Sequence, residues 1–176
     1  LNAMRVLTDP VETGAVTLCL PQDTQAEAYD YPDYFLAKRI WHIDRRPVNQ
    51  RPLHEAATLL SKAKNPLIIA GGGVHYSQAA DTLRDFAETF GIPVGETQAG
   101  KSAMSWKDSM SVGAIGVTGT SAANLIAKDA DVVFVVGSRL QDFTTASKQI
   151  FSPDVKLLHL NISQYDGLKM DSVALQ

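Results

Sequence analysis

Five consecutive apolar residues, Val132–Val136, constrain the fold of this chain more than any other feature of its sequence. A strand with one face in water alternates apolar and polar residues, so an unbroken apolar run predicts a strand covered on both faces. Such strands are typical of parallel sheets, whose crossover helices lie on both sides. The run therefore predicts an interior strand of an α/β domain.

Further strands and helices extend this pattern. Leu67–Ala70 is a short apolar strand, Ile92–Val94 begins another, and Lys156–Ile162 is predicted as the last strand. Apolar residues at spacings of three and four predict a helix from Arg51 onward and a second helix from Ser77 to Phe90. Their apolar stripes are Leu53, Ala56, Ala57, Leu60 and Ala63, and Ala79, Leu83, Phe86, Ala87 and Phe90. Alternating helices and strands predict an α/β fold with a Rossmann-like parallel sheet and helices on both faces.

Two residue types mark the helix ends in this part of the chain. Gly91 follows the second helix, where a glycine is a good C-terminal stop. Thr120 or Ser121 is a candidate N-cap for a helix that continues through Ile126, because a hydroxyl there can accept a hydrogen bond from a free backbone N–H of the first turn. These signals place the connections between the predicted strands.

The N-terminal region differs in kind from the rest. Leu1–Leu7 has helical character, and Gly14–Leu20 is a short strand candidate closed by a proline. Residues 24–50 are rich in Tyr, Asp, Arg and Pro and have no steady periodicity. We interpret them as a linker lying along a surface, with Trp41 and Ile43 as candidate anchors.

Composition and charge exclude several classes of partner. The chain of 176 residues is 45% apolar and 20% charged, as in globular domains. Its net charge is −3 and its basic residues form no dense run, so neither nucleic acid nor an anionic membrane is an expected partner. No apolar run approaches the ~20 residues of a membrane span, so we expect a cytoplasmic protein. The single cysteine, Cys19, is expected to be a small buried apolar residue.

Glycines follow the strand Leu67–Ala70, at a position where open α/β sheets bind ligands. Gly71, Gly72 and Gly73 would let the chain turn sharply and let a phosphate approach the backbone N–H groups. The segment lacks the GxGxxG spacing and the lysine–serine pair of a P-loop. A tight strand-to-helix turn is therefore the competing interpretation.

Gly137, Ser138 and Arg139 occupy the equivalent position after Val132–Val136. The Arg139 guanidinium could hold a phosphate or carboxylate by two parallel hydrogen bonds. A surface arginine paired with an acid such as Asp142 is the alternative.

The polar loop Glu96–Ser102 follows the strand that begins at Ile92. Gln98 and Lys101 could reach into a neighbouring binding site, and Gly100 gives the loop freedom. The alternative is a solvated loop, because most loops are polar for that reason alone.

Histidines and acidic residues give no catalytic or metal-binding set. None of His42, His54, His75 and His159 is spaced as a metal pair on one helix face. No Ser/His/Asp or Cys/His combination can be assembled from spacing, so we predict no catalytic residue and no metal ligand in this chain. His159 lies in an apolar strand and is expected to be a hydrogen-bonded core histidine.

Several of these segments together resemble thiamine-diphosphate-dependent enzymes. Gly14–Asp23 resembles the GPVxLxxPxD-like strand that ends their pyrimidine-binding domain, and Asn65–Gly73 resembles the opening of their central domain. Later segments follow in the same order, namely Gly91–Val94, the Lys101 loop, Ala130–Asp131 and Val132–Arg139. The resemblance implies that residues 1–22 end the pyrimidine-binding domain, 23–50 form an interdomain linker, and 51–176 form the Rossmann-like central domain.

Longer strings resemble one branch of that superfamily, which opens a cyclic 1,2-dione by hydrolysis in myo-inositol breakdown and yields a deoxyglucuronic acid. They are Thr8–Thr17, Glu27–Tyr31, Glu96–Lys101, Gly113–Ser121 and Arg139–Thr145. The resemblance implies that the full enzyme uses thiamine diphosphate and Mg²⁺. It also implies that the activating glutamate and the Gly-Asp-Gly motif lie outside this chain, since Tyr165–Gly167 is no such motif. The chain begins at Leu1 within helical sequence, and we expect a fragment that is inactive alone.

The partners implied by the resemblance are the other domains of the same polypeptide, in a homo-oligomer of the full enzyme. In relatives, segments corresponding to Gly71–Gly73 and Gly137–Arg139 hold FAD or ADP, or hold nothing, and we expect an empty crevice here. A stand-alone ADP- or FAD-binding module is the alternative function. A complete small dehydrogenase is less well supported, because the glycine fingerprint is not intact.

Overall fold

The computed structural model describes residues 1–170 and the backbone of residues 173–175. The chain forms two compact units, Leu1–Arg46 and Pro47–Gln176. Each unit has its own secondary structure.

Short helices make up the regular structure of the first unit. They are α1 (Asn2–Leu7), α2 (Gln22–Gln25) and α3 (Asp33–Leu36). Helix α1 confirms the helix predicted for Leu1–Leu7. The Asp9 carboxylate holds the turn that follows, because it accepts hydrogen bonds from the backbone N–H of Val11 at 2.8 Å and of Glu12 at 2.6 Å. These bonds lower the pKa of Asp9.

The strand predicted for Gly14–Leu20 is wrong, because this segment has no regular secondary structure. A strand is stable only when a neighbour accepts its ladder hydrogen bonds, and residues 1–46, all of them described, contain no other strand. The apolar side chains are left in solvent, with Leu18 73% exposed. Cys19 is also exposed, so the prediction that it is buried is wrong for the same reason.

Aromatic residues of the predicted linker pack on one another. The ring centroids of Tyr29 and Tyr31 lie 5.4 Å apart, and those of Tyr31 and Phe35 lie 5.3 Å apart. Trp41 and Ile43 are 39% and 59% exposed, and their role as anchors of this segment stays a prediction.

A parallel sheet is the framework of the second unit. Within the described residues it has six strands, in the order β3-β2-β1-β4-β5-β6. The strands are β1 (Pro66–Ala70), β2 (Val94–Glu96), β3 (Ser111–Ala114), β4 (Val132–Val136), β5 (Lys156–Leu160) and β6 (Val173–Leu175). The helices are α4 (Gln50–Ser61), α5 (Gly72–Tyr76), α6 (Ala80–Phe90), α7 (Ser121–Asp129), α8 (Asp142–Thr145) and α9 (Gln164–Leu168).

Strand β4 has the two covered faces that its apolar run predicts. Val133 and Val135 pack on one face in a cluster that includes residues of α7. Phe134 and Val136 pack on the other face against clusters that include residues of α6, and Phe134 also reaches α4. Helices therefore cover both faces of the parallel sheet, which confirms the predicted α/β Rossmann-like fold.

Some element boundaries differ from the prediction. The helix expected over Ser77–Phe90 begins only at Ala80, as α6, because Gln78 just before it has a φ of +53°. A separate short helix that was not predicted, α5, precedes Gln78. Gly91 ends α6 with a φ of +64°, as predicted. On α4, Leu53 is 44% exposed and Ala57 is exposed, whereas Ala56 is buried, so the apolar stripe is narrower than expected.

Short elements were not predicted. β3, α8, α9 and β6 have three to five residues each, too few to show a clear hydrophobic period. Strand β5 is followed by β6, so the prediction that it is the last strand is wrong. Among the residues whose structure is described, no helix has both the length and the apolar character needed to cross a membrane.

Candidate functional site

The order of the strands locates the candidate site at the carboxyl edge of the sheet. The chain moves outward from β1 through β2 to β3, and then outward on the other side from β4 through β5 to β6. The strand order therefore reverses between β1 and β4, which are paired in parallel register. Ligands of open α/β sheets bind beyond the strand ends at such a reversal.

The two predicted glycine segments meet at this reversal. Gly71–Gly73 continues from β1 and Gly137 continues from β4. The backbone N–H of Gly71 donates to the carbonyl oxygen of Val136 at 2.8 Å, and that of Gly73 donates to the carbonyl oxygen of Gly137 at 2.9 Å. Two of the N–H groups that could have donated to a phosphate are therefore already bonded, to the carbonyl oxygens of Val136 and Gly137.

Glycine is required where these turns touch. A Cβ on Gly73 would lie 2.6 Å from the Cα of Gly137, which is closer than real Cβ contacts. Gly137 also has a φ of +61°, a left-handed conformation that residues with a Cβ adopt at a cost. The geometry fits a close-packed pair of strand-to-helix turns.

Ser138 and Arg139 follow the second glycine turn. The Ser138 hydroxyl accepts from the backbone N–H of Leu140 at 3.2 Å, and the side-chain amide of Asn161 donates to the Ser138 carbonyl oxygen at 3.0 Å. Arg139 is exposed, and among the described residues its guanidinium forms no ion pair with Asp142 or another acid. Ser138 thus has a role inside the turn, while Arg139 faces solvent.

Hydrogen bonds join the loop after β2 to the end of β1 and also join positions within the loop. The Thr97 N–H donates to the carbonyl oxygen of Ala70 at the end of β1, at 2.9 Å. The N–H of Gly100 donates to the Thr97 hydroxyl at 3.1 Å. Thr97, Gly100, Ala103 and Met104 are buried. The predicted site residues Gln98 and Lys101 lie between these buried positions and are exposed.

Two side chains that the sequence did not single out hold the far end of this loop. The Glu96 carboxylate accepts from the Met104 N–H at 2.8 Å, and Nε2 of His75 lies 2.9 Å from the carbonyl oxygen of Lys101. Ser102 adopts a φ of +73°, which is unusual for a residue other than glycine. Glu96 ends β2, so its position could have been noticed, but no sequence signal relates His75 to a loop 26 residues away.

His159 on β5 departs from its predicted role. Its side chain is 1% exposed, as expected of a core residue. However, neither ring nitrogen has a hydrogen-bond partner among the described residues, so the prediction of a hydrogen-bonded histidine is wrong. Burial favours the neutral ring and lowers the pKa of His159 to about 4. An apolar strand position predicts burial but not the presence of a polar partner.

Acidic and histidine side chains do not gather into a metal site in the part of the chain that is described, where no group of three or more His, Cys, Asp or Glu could hold an ion. The Asp131 carboxylate, which precedes β4, instead accepts from the backbone N–H of Lys64 at 2.7 Å and of Asn65 at 2.9 Å. These bonds lower the pKa of Asp131 and join the entrances of β1 and β4.

Comparison with known proteins agrees with this architecture. Residues 53–175 match the family described as thiamine pyrophosphate enzyme, central domain. The chain is also similar to proteins named 3D-(3,5/4)-trihydroxycyclohexane-1,2-dione hydrolase. It is 55% identical to that of Clostridium tetani over 174 residues, 54% identical to that of Clostridium perfringens over 173 residues, and 53% identical to that of Bacillus thuringiensis over 174 residues.

Each of these alignments covers 98% of this chain but only 27% of the relative, so the chain spans about a quarter of the length of the hydrolases it matches. The family match covers the sheet and the helices of the second unit, from α4 to β6. The chain belongs to the family of thiamine pyrophosphate enzyme central domains.

Proposed function

We propose that this chain is the central-domain part of an enzyme that hydrolyses 3D-(3,5/4)-trihydroxycyclohexane-1,2-dione to a deoxyglucuronic acid in myo-inositol catabolism. One observation carries the proposal: the similarity to hydrolases of that name, 53–55% identical, extends over 98% of the chain. It therefore includes residues 1–46 and the exposed loops, where fold alone would not require similarity.

The cofactor chemistry belongs, in this proposal, to other parts of the full enzyme. Thiamine diphosphate supplies a nucleophilic carbon and an electron sink when it is bound. We expect its activating glutamate to lie outside these 176 residues, which contain no Gly-Asp-Gly sequence for Mg²⁺ and diphosphate. We assign residues 1–22 to the end of the pyrimidine-binding domain, 23–50 to the linker and 51–176 to the central domain. We expect this chain to contribute no catalytic residue of its own.

The glycine turns have a structural role in this proposal. The contact between Gly73 and Gly137 uses the space and the N–H groups that a nucleotide phosphate would need. Glu96 ends β2, where dinucleotide-binding folds carry an acid for the ribose, but its Oε1 accepts from Met104 at 2.8 Å. Both observations favour the scaffold role over the ADP- or FAD-binding alternative.

The loop after β2 is the part of this chain that we propose to touch substrate. Gln98 and Lys101 are exposed on a backbone whose neighbouring positions are buried. Their amide and ammonium groups can donate hydrogen bonds to the hydroxyl and carbonyl oxygens of a trihydroxylated dione. Because the backbone of this loop is already held in place, less conformational entropy is lost when its donors bind a ligand.

Enzyme assays of the chain and of a full-length enzyme that contains it test this proposal. With thiamine diphosphate and Mg²⁺, we expect the full-length enzyme to open the dione and the 176-residue chain to show no turnover. In the full-length enzyme, Lys101→Met should raise KM or lower kcat. The matched control Lys128→Met, at an exposed position in the last turn of α7, should retain activity. Turnover by the isolated chain would refute the proposed division of labour.

The remaining expectations stay predictions. They are a cytoplasmic location, a homo-oligomeric full enzyme, and association of this chain with the other domains of the same polypeptide. Exposed apolar side chains support the last of these, because Phe143, on the helix after β4, is 61% exposed and Trp106, in the segment before β3, is 83% exposed.

A further inference from the structure

His75 connects two segments that leave neighbouring strands. It lies on α5, which follows β1, and its Nε2 is 2.9 Å from the carbonyl oxygen of Lys101, in the loop that follows β2. Because a carbonyl oxygen only accepts hydrogen bonds, Nε2 must be the donor. The imidazole is exposed, so its hydrogen bond, and not its burial, is its main link to the rest of the unit.

The carbonyl that His75 contacts belongs to the peptide plane between Lys101 and Ser102. Holding this plane restrains ψ of Lys101 and φ of Ser102, and so restrains the backbone from which the Lys101 side chain extends. Ser102 has a φ of +73°, a conformation that persists only when surrounding contacts maintain it. Most other bonds of the loop hold its buried positions, Thr97, Gly100, Ala103 and Met104. At the exposed position 101, the Lys101 N–H also donates to the Gln98 carbonyl oxygen, at 3.4 Å.

We propose that His75 is a positioning residue for the reaction: it fixes the Lys101–Ser102 peptide plane and so directs the Lys101 ammonium towards substrate. This inference rests on the proposed function, in which the loop after β2 touches the dione. It assigns a role to a histidine that the sequence did not connect with the site, and it makes α5 a support for the loop.

Hydrogen exchange in the 176-residue chain tests the contact itself. Loss of one hydrogen bond should allow the loop to open more often, and we expect His75→Ala to increase amide exchange at Ala103 about fivefold. His75→Gln should largely restore protection, because its side-chain amide can donate to the same carbonyl. The control His54→Ala, at an exposed position on α4, should change nothing.

Kinetics in a full-length enzyme that contains the chain test the role of the contact. His75→Ala should lower kcat/KM about tenfold. His75→Gln should recover most of the loss. In a Lys101→Met background the same substitution should have almost no further effect, because His75 acts through Lys101. If His75 only stabilised the fold, its substitution would lower kcat/KM by the same factor with Lys101 or with Met at position 101.

Three results would overturn the inference. Unchanged exchange at Ala103 in His75→Ala would mean that the hydrogen bond does not hold the loop. Faster exchange with unchanged kcat/KM would mean that the loop does not serve the reaction. Equal losses of kcat/KM on His75→Ala in the unsubstituted and Lys101→Met backgrounds would mean that His75 only stabilises the fold. Failure of the proposed function is distinguishable from these, since the unsubstituted full-length enzyme would then not open the dione.

Discussion

The backbone N–H of Gly73 donates to the carbonyl oxygen of Gly137 at 2.9 Å, and this bond joins the turns that leave β1 and β4. The two strands are paired along their whole length, so the turns meet where the strand order reverses. Many α/β proteins bind a ligand at this place. Here the two backbones contact one another, and the neighbouring loop after β2 presents the exposed polar side chains.

Gly137→Ala should destabilise the second unit more than Gly91→Ala, although both glycines have a φ above +60°. At Gly91 nothing lies within 4 Å of an added Cβ, so only the backbone strain of about 1 kcal/mol is expected. At Gly137 the Cβ would also meet the Cα of Gly73 at 2.5 Å, and we expect a total loss of about 3 kcal/mol. Urea denaturation measures both values, and equal losses would contradict close contact of the two turns.

ADP and FAD should leave the Tm of the chain unchanged. A ligand that binds only the folded state at 100 times its Kd would add about 2.7 kcal/mol of stability, which a thermal melt detects readily. No such increase is expected, because the N–H groups of Gly71 and Gly73 are bonded to the carbonyl oxygens of Val136, at the end of β4, and of Gly137, just after it. A Tm increase that Arg139→Ala abolishes would favour the nucleotide-binding alternative.

The free energy of unfolding should depend on pH through His159. Burial lowers its pKa from 6.5 to about 4, so the folded state binds fewer protons than the unfolded state between these values. Stability is therefore complete above pH 6.5 and falls as the pH decreases towards 4, by up to about 3 kcal/mol.

The variant His159→Leu separates this effect from the titration of carboxylates. It should flatten the decrease in unfolding free energy between pH 6.5 and 4, and it should not be less stable at pH 7, since both ring nitrogens are unpartnered among the described residues. His54→Leu, at an exposed position, should leave the decrease intact. An identical pH profile for His159→Leu would show that His159 does not cause it.

Thr120→Ala should destabilise the chain by about 1–2 kcal/mol, whereas Ser121→Ala should have almost no effect. Sequence left either residue as the N-cap of α7. In the structure the Thr120 hydroxyl accepts from the Ala123 N–H at 3.1 Å and donates to the Val112 carbonyl oxygen at 2.8 Å. Ser121 is exposed and begins the helix. Chemical denaturation of the two variants measures the difference, and a larger loss for Ser121→Ala would contradict this assignment.

The parts of the fold that the sequence predicted are those encoded by local chemistry. The apolar run of β4 and the glycine that ends α6 act through solvent exclusion and backbone conformation, which are properties of the segment itself. The strand expected at Gly14–Leu20 failed because a strand also requires a partner, and a partner is not a property of the segment.

The candidate site was predictable to a similar extent. Its location followed from the positions just after the predicted strands, where open α/β sheets bind ligands, and Gln98 and Lys101 were recognisable as polar residues on a loop after a strand. The contact of His75 with Lys101 and the missing partners of His159 depend on distances between residues far apart in sequence. No periodicity or motif records such distances.

A domain exchange provides the most direct measurement. The segment of the Clostridium tetani hydrolase that is 55% identical to this chain, 27% of that protein, would be replaced by these 176 residues, and ring opening of the dione would be assayed with thiamine diphosphate and Mg²⁺. If the chain is the central domain of such an enzyme, the exchanged protein hydrolyses the dione. A folded exchanged protein that binds thiamine diphosphate but does not open the ring would contradict that assignment.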